Sequence, residues 1–466
     1  MRGTGLLYSV AVLVLLPFLG LGGGLAQTAE PGDANSKAAQ PPAQTEFAPD
    51  AKPSPDVVRR LAAQTRLAHR LLEQLEKEPT AEDNIVVSPA SVAMALSLLE
   101  LGADDKLRAA IAQALGYEAA GARPAAVAGK KPPGKPAANP APQVARAAEK
   151  PAVPAAGKPT DDLKGLLQII IDLDREKDLK GVLTLANSIV FDPAAAPIEL
   201  ALRGLRETGA KVSVDKLSSP ETIKGINDWV SEKTNGLIPT IIELPPLNPG
   251  LIALNALYFK DKWKYPFDAN ATKRAPFHGI NGELDVPMMN MGRHMHRVQA
   301  NERFVGVELP YMHERFAIVL VTTKDKPARA GEFDKVVNWL AGDGFVPAQV
   351  EFSMPRFALN GQAELLRPLD AMGLKAGRAS PTALRGFSAV PQNISQITQK
   401  TYIRVDEAGT EAAAVTAVLT ARSAARPEKI VIDKPFLFAL RDRMSGLILM
   451  AGYVGAPTAG PVAELR

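Results

Sequence analysis

From residue 182 onward, the strand-like and helix-like stretches come in irregular order, and that order limits the fold more than any single motif. VLTLANSIVF (182–191), LIALNALYF (251–259), VPMMNM (286–291), FVGVELPY (304–311), FAIVLVTT (316–323) and QVEFSMPRFAL (349–359) have strand character. Between them, PIELALRGLRETG, SPETIKGINDWVSEKTN, GEFDKVVNWLAG and QAELLRPLDAMG read as helices. A doubly wound sheet needs strict strand–helix alternation. Consecutive strands with helices at uneven intervals imply an α+β fold with antiparallel sheets. No fixed-period repeat divides the region into further domains.

Order begins near Ser54-Pro55-Asp56, a cap followed by proline, and Val57, Val58, Leu61, Leu67, Leu71 and Leu75 then fall near one helical face. NIVVSPASVAMALSLLELGADDKLRAAIAQALGY reads as a short strand, a buried helix from Ser88 and a second amphipathic helix. Residues 118–160 break this pattern with Ala and Pro, scattered Lys and Arg, and almost no large apolar residues. Such a composition cannot bury enough surface to offset chain entropy, so we expect a disordered insertion. As a solubilising insertion it needs no partner; as a basic arm it would meet a polyanion. Folding signals resume at Thr160-Asp161-Asp162, opening a helix to about Leu173.

The first residues bear on the compartment. Residues 1–26 have Arg2 before an apolar run from Leu6 to about Leu19 and end in Gly24-Leu25-Ala26, the pattern of a signal peptide. A membrane anchor needs a longer run of ~20 residues. Residues 27–54 are Ala-, Pro- and Gln-rich and read as a disordered tether before a single domain over 55–466. We therefore expect a secreted protein, extracellular or periplasmic. It has no cysteine, so neither disulfides nor thiol catalysis contribute. A net charge of +4 over 466 residues does not demand a nucleic-acid partner.

The enzyme templates fail. There is no G-x-S-x-G elbow, Walker loop, H-E-x-x-H or strand-linked G-x-G-x-x-G, and Asp161-Asp162 sit where they complement a helix dipole. His294 and His296 in GRHMHR share one face of a strand, with His313 a third candidate. They read as exposed polar strand residues rather than metal ligands. No metal, cofactor or catalytic activity is expected.

NIVVSPASVAMALSLLELGA, INDWVSEKTNGLIPTII, LNALYFKDKWKYPF, VPMMNM, VELPY, FSMPRFAL, VDEAGTEAAAVTA and DKPFLFALRDRMSGLILMAGYV occur in one order between about 55 and 457. Taken together, this series resembles the serpins. The resemblance implies a monomeric domain of three β-sheets and about nine helices with an exposed reactive-centre loop. That loop answers a puzzle in residues 405–436, where an Ala run, a Val/Leu/Thr alternation and an Arg-Ser pair carry helix, strand and cleavage signals together. In the family, a cut loop inserts into the main sheet as a new strand and traps the protease.

Several residues gain roles through the resemblance alone. Glu407, Gly409, Thr410, Ala412, Ala413 and Ala414 match the hinge, whose small side chains suit entry between packed strands. Ala408 replaces a usual charged residue, and Val415 is bulkier than usual. Arg422, Ser423 and Ala424 form the reactive centre. Counting from Glu407 by the commonest spacing places the cut after Ser423; a loop one residue shorter places it after Arg422. Arg422 is favoured and implies a trypsin-like serine protease, whereas Ser423 implies an elastase-like one. Trp263 and Arg356 match residues at the top of the main sheet, with Arg356 partnering Glu407. Ser88, Ser91 and Asn255 match a polar cluster beneath its middle, and Gln399 stands there in place of a common histidine. A non-inhibitory binding or chaperone-like serpin is the alternative.

Overall fold

A computed structural model describes residues 54–78, 83–117, 159–246, 250–410 and 428–458. The expectations for residues 1–53, for nearly all of the 118–160 insertion, and for Ala412, Ala413, Ala414, Arg422, Ser423 and Ala424 lie outside the described residues.

Helix α1 (Pro55–Glu76) starts where Ser54 accepts a hydrogen bond from the Val57 amide and proline fills the first helical position. After β1 (Asn84–Val87), the same device at Ser88 and Pro89 opens α2 (Pro89–Glu100), which is buried on every side. Asp104 caps α3 (Asp105–Ala114), and α4 (Pro159–Arg175) leads into β2 (Leu183–Phe191), α5 (Glu199–Glu207) and β3 (Lys211–Val214). Ser219 caps α6 (Pro220–Lys233). Then come β4 (Leu251–Phe259), β5 (Asp261–Lys262), β6 (Asp268–Gly279), β7 (Gly282–Ala300), β8 (Phe304–Pro310), β9 (Phe316–Thr323), β10 (Val346–Pro355) and β11 (Phe357–Glu364). Two short helices, α7 (Leu366–Ala371) and α8 (Leu374–Arg378), precede β12 (Ile394–Val405), β13 (Gly409–Thr410), β14 (Glu428–Val431), β15 (Phe436–Asp442) and β16 (Ile448–Val454).

Seven strands form the main sheet in the order β3-β2-β4-β12-β13-β5, with β11 also paired to β12. The other nine run β1-β16-β15-β9-β8-β7-β10-β14, with β6 on β7. The long β7 pairs with β6 in its first half and with β8 at its end, so it joins two of the three expected sheets into one ladder. β4 explains its own unbroken apolar run. Leu251, Ala253, Leu257 and Phe259 face the core shared with α2, while Ile252, Leu254 and Ala256 pack under Ile226 and Val230 of α6.

One helix expectation takes a tighter form and one is corrected. Over Ala330–Ala341 the chain is a 3-10 helix. Within QAELLRPLDAMG, Gln362–Glu364 extend β11 instead, because they pair with Lys400–Thr398 of β12, and helix begins only at Leu366. The sheet overrides local helix propensity there.

Candidate functional site

At the top of the main sheet, the turn after β12 returns the chain to form β13. Gly409 pairs with Lys262, while Thr410 pairs with both Asp261 and Val405. The approach is too close for any side chain at 409, since a Cβ there would lie 2.2 Å from the Asp261 carbonyl oxygen. Thr410 is fully buried, and its hydroxyl meets that of Tyr311 at 2.7 Å. Burial drives the Tyr311 phenol well above its usual range. The phenol is therefore neutral and available to this bond.

Trp263 holds the turn from below. Its indole stacks on Tyr311 at 4.5 Å and donates from Nε1 to the Asp406 carbonyl at 2.8 Å. The backbone amides of Trp263 and Phe267 donate to the carbonyls of Ala408 and Glu407. Glu407 accepts from Arg356 at 2.5 Å and from the Thr272 hydroxyl at 2.6 Å. Burial alone pushes this carboxyl up, but those two donors outweigh it and hold Glu407 below the usual glutamate range. Asp406 and Asp261 lack such strong donors, and burial raises both. His313 lies here too, 3.3 Å from Asp261.

The sheet is closed below this turn. β4 and β12 pair directly and in parallel from Leu251/Ile394 to Tyr258/Tyr402. Asn187, Asn255 and Gln399 stand opposite one another across β2, β4 and β12, and Asn255 donates to Asn187. Gln399 accepts from the Ser88 amide at 2.7 Å and donates to the Ser88 carbonyl at 2.9 Å. The Ser88 hydroxyl in turn accepts from the Ser91 amide. This clasp ties the start of α2 to the middle of the sheet.

The structure thus brings Glu407, Arg356, Trp263, Gly409 and Thr410 together at the top, and Ser88, Ser91, Asn255 and Gln399 below. It corrects one expectation: residues 407–410 are buried rather than part of an exposed loop, because Gly409 and Thr410 already occupy a place in the sheet. Tyr311, Thr272 and Asn187 were missed as partners. Asn187 was the one legible from sequence, as an amide amid the apolar run VLTLANSIVF. His296 is buried rather than exposed, and His313 does not join it; among the described residues no three His, Cys, Asp or Glu converge as a metal set.

A family model, Serpin (serine protease inhibitor), matches residues 62–457. The chain belongs to the serpin family. This serpin is 32% identical to Serpin-Z10 of Arabidopsis thaliana, across 64% of this chain and 83% of that one. It is 28% identical to the leukocyte elastase inhibitor of Sus scrofa, across 85% of this chain and 99% of that one. Its fold matches human thyroxine-binding globulin in complex with thyroxine, with a TM-score of 0.69 and 21% identity over 86% of this chain and all of the other. Serpin relatives thus include a protein named as an elastase inhibitor and one named for binding thyroxine.

Proposed function

We propose that this serpin inhibits serine proteases as a suicide substrate and works outside the cytoplasm after export. The observation that carries the reading is the direct parallel pairing of β4 with β12 below a top already parted by Gly409 and Thr410. Strand edges are in contact where a further strand would enter, and the first two residues of that strand are in place. A protease attacking the bond after Arg422 or Ser423 forms its acyl-enzyme. The freed chain then zips between β4 and β12, drags the protease along, and distorts its active site before deacylation. Arg422 suits the acidic specificity pocket of a trypsin-like enzyme. Ser423 suits an elastase-like one, the target class named for the porcine relative.

Incubation with trypsin and with pancreatic elastase, followed by denaturing electrophoresis, tests this. A denaturant-stable adduct is expected with at least one, and the mass of the released peptide assigns the bond. Clean cleavage with full protease activity retained overturns the inhibitor reading in favour of a binding-type serpin.

A further inference from the structure

His294 and His296 stand two residues apart on β7, and both rings lie against Tyr265. The His294 ring stacks on the phenol at 4.9 Å, while His296 meets it edge-on at 5.9 Å. Opposite, on β10, their partners are Val350 and Ala348. One step further the register slips: Glu351 pairs with Arg293, but Phe352 pairs with Met291. The extra residue, Gly292, turns Met291 onto the face that carries both histidines. As a result, Nε2 of His296 lies 3.2 Å from the thioether sulfur of Met291.

Packing alone is a poor account of this cluster. His296 is 3% exposed, and its Nδ1 has no hydrogen-bond partner. Its Nε2 meets only a thioether, a weak acceptor, so neither ring nitrogen has a strong hydrogen-bond partner. A neutral imidazole offers a lone pair on one of its ring nitrogens.

We propose that Met291, His294 and His296 form a binding site for a soft monovalent cation, Cu(I) or Ag(I). Thioether with imidazole is a soft donor set, and it excludes the hard cations that require oxygen. The spacing fits. Taking the bond lengths of zinc sites as a guide, about 2.1 Å to nitrogen and about 2.3 Å to sulfur, the two donor atoms sit roughly 3.5 Å apart across a tetrahedral centre. The observed 3.2 Å needs only a small opening. Two imidazoles sharing one ion at such bond lengths have ring centroids about 6.4 Å apart with the ion in line between them and roughly 5.3 Å apart at a tetrahedral angle, so the pair here would flank the ion at a wide angle or close by under about 1 Å. The His294 and His296 centroids are 6.1 Å apart. His294 is only partly buried and gives the ion a way in. This site stands independently of the inhibitor reading.

The test titrates the full-length protein with silver nitrate, and with Cu(I) held reduced by ascorbate, against a chromogenic competitor. One tightly bound ion per chain is expected. Met291→Leu and His294→Gln should each lose it while keeping the parent metal-free melting curve. Met295→Leu, a control 55% exposed on the opposite face, should keep it. If Met291→Leu does not fold, His294→Gln at its partly open position carries the same readout. Absence of one-to-one uptake by the parent overturns the site. So does undiminished uptake by the folded variants, or Zn(II) binding of equal strength.

Discussion

Gln399 satisfies the amide and the carbonyl of Ser88 with one side chain, and both lie in the buried middle of the molecule. Gln399→Leu keeps the volume and removes both bonds. An unmet buried polar group costs ~1–3 kcal/mol, so the two together should lower unfolding stability by roughly 3 kcal/mol. Denaturant unfolding measures this, and a loss below about 1 kcal/mol would show that water replaces the clasp. Because an amide does not titrate, this junction is also insensitive to pH, unlike the histidine common at the matching place.

The β13 element depends on Glu407, and its pH response has a definite sign. The Glu407 carboxyl is held below the ordinary glutamate value of 4.5 in the fold. Its contribution is therefore complete above pH 4.5 and lost as pH falls through the folded value. Asp406 and Asp261 act the other way. Raised by burial, they favour the fold below the ordinary aspartate value of 3.8 and lose that contribution as pH rises. Comparing melting curves of the parent and Glu407→Gln isolates the first effect: the parent should lose its advantage below pH 4.5, and a constant gap across that window refutes the assignment. Thr410→Arg probes the element directly. The fully enclosed site beside Tyr311 cannot hold an unpaired guanidinium. On the inhibitor reading, this variant should be cleaved yet form no adduct; adduct yield equal to the parent's would show that insertion does not begin at Thr410.

At the scale of the molecule, the question is whether the closed sheet stores free energy. A new central strand gains cross-strand pairs on both sides, at ~0.2–1 kcal/mol each, so several kcal/mol are at stake. The nicked protein should melt far above the intact one, by calorimetry at matched concentration. A nicked form that melts no later than the intact form removes the driving force for trapping.

Much of this was written in the chain. The irregular strand order and the Ser54-Pro55 and Ser88 helix starts follow from spacing and side-chain chemistry, which are local. The groups at the top and middle of the sheet were legible only through the order of family motifs, since Trp263 and Asp406 are 143 residues apart. Contacts across such separations leave no periodic trace. Tertiary structure alone decided that Gln362–Glu364 join a strand, that Gly409 and Thr410 are already in the sheet, and that a one-residue slip sets Met291 beside His296. Each outcome rests on which backbone groups find partners, and that is fixed only when distant segments meet.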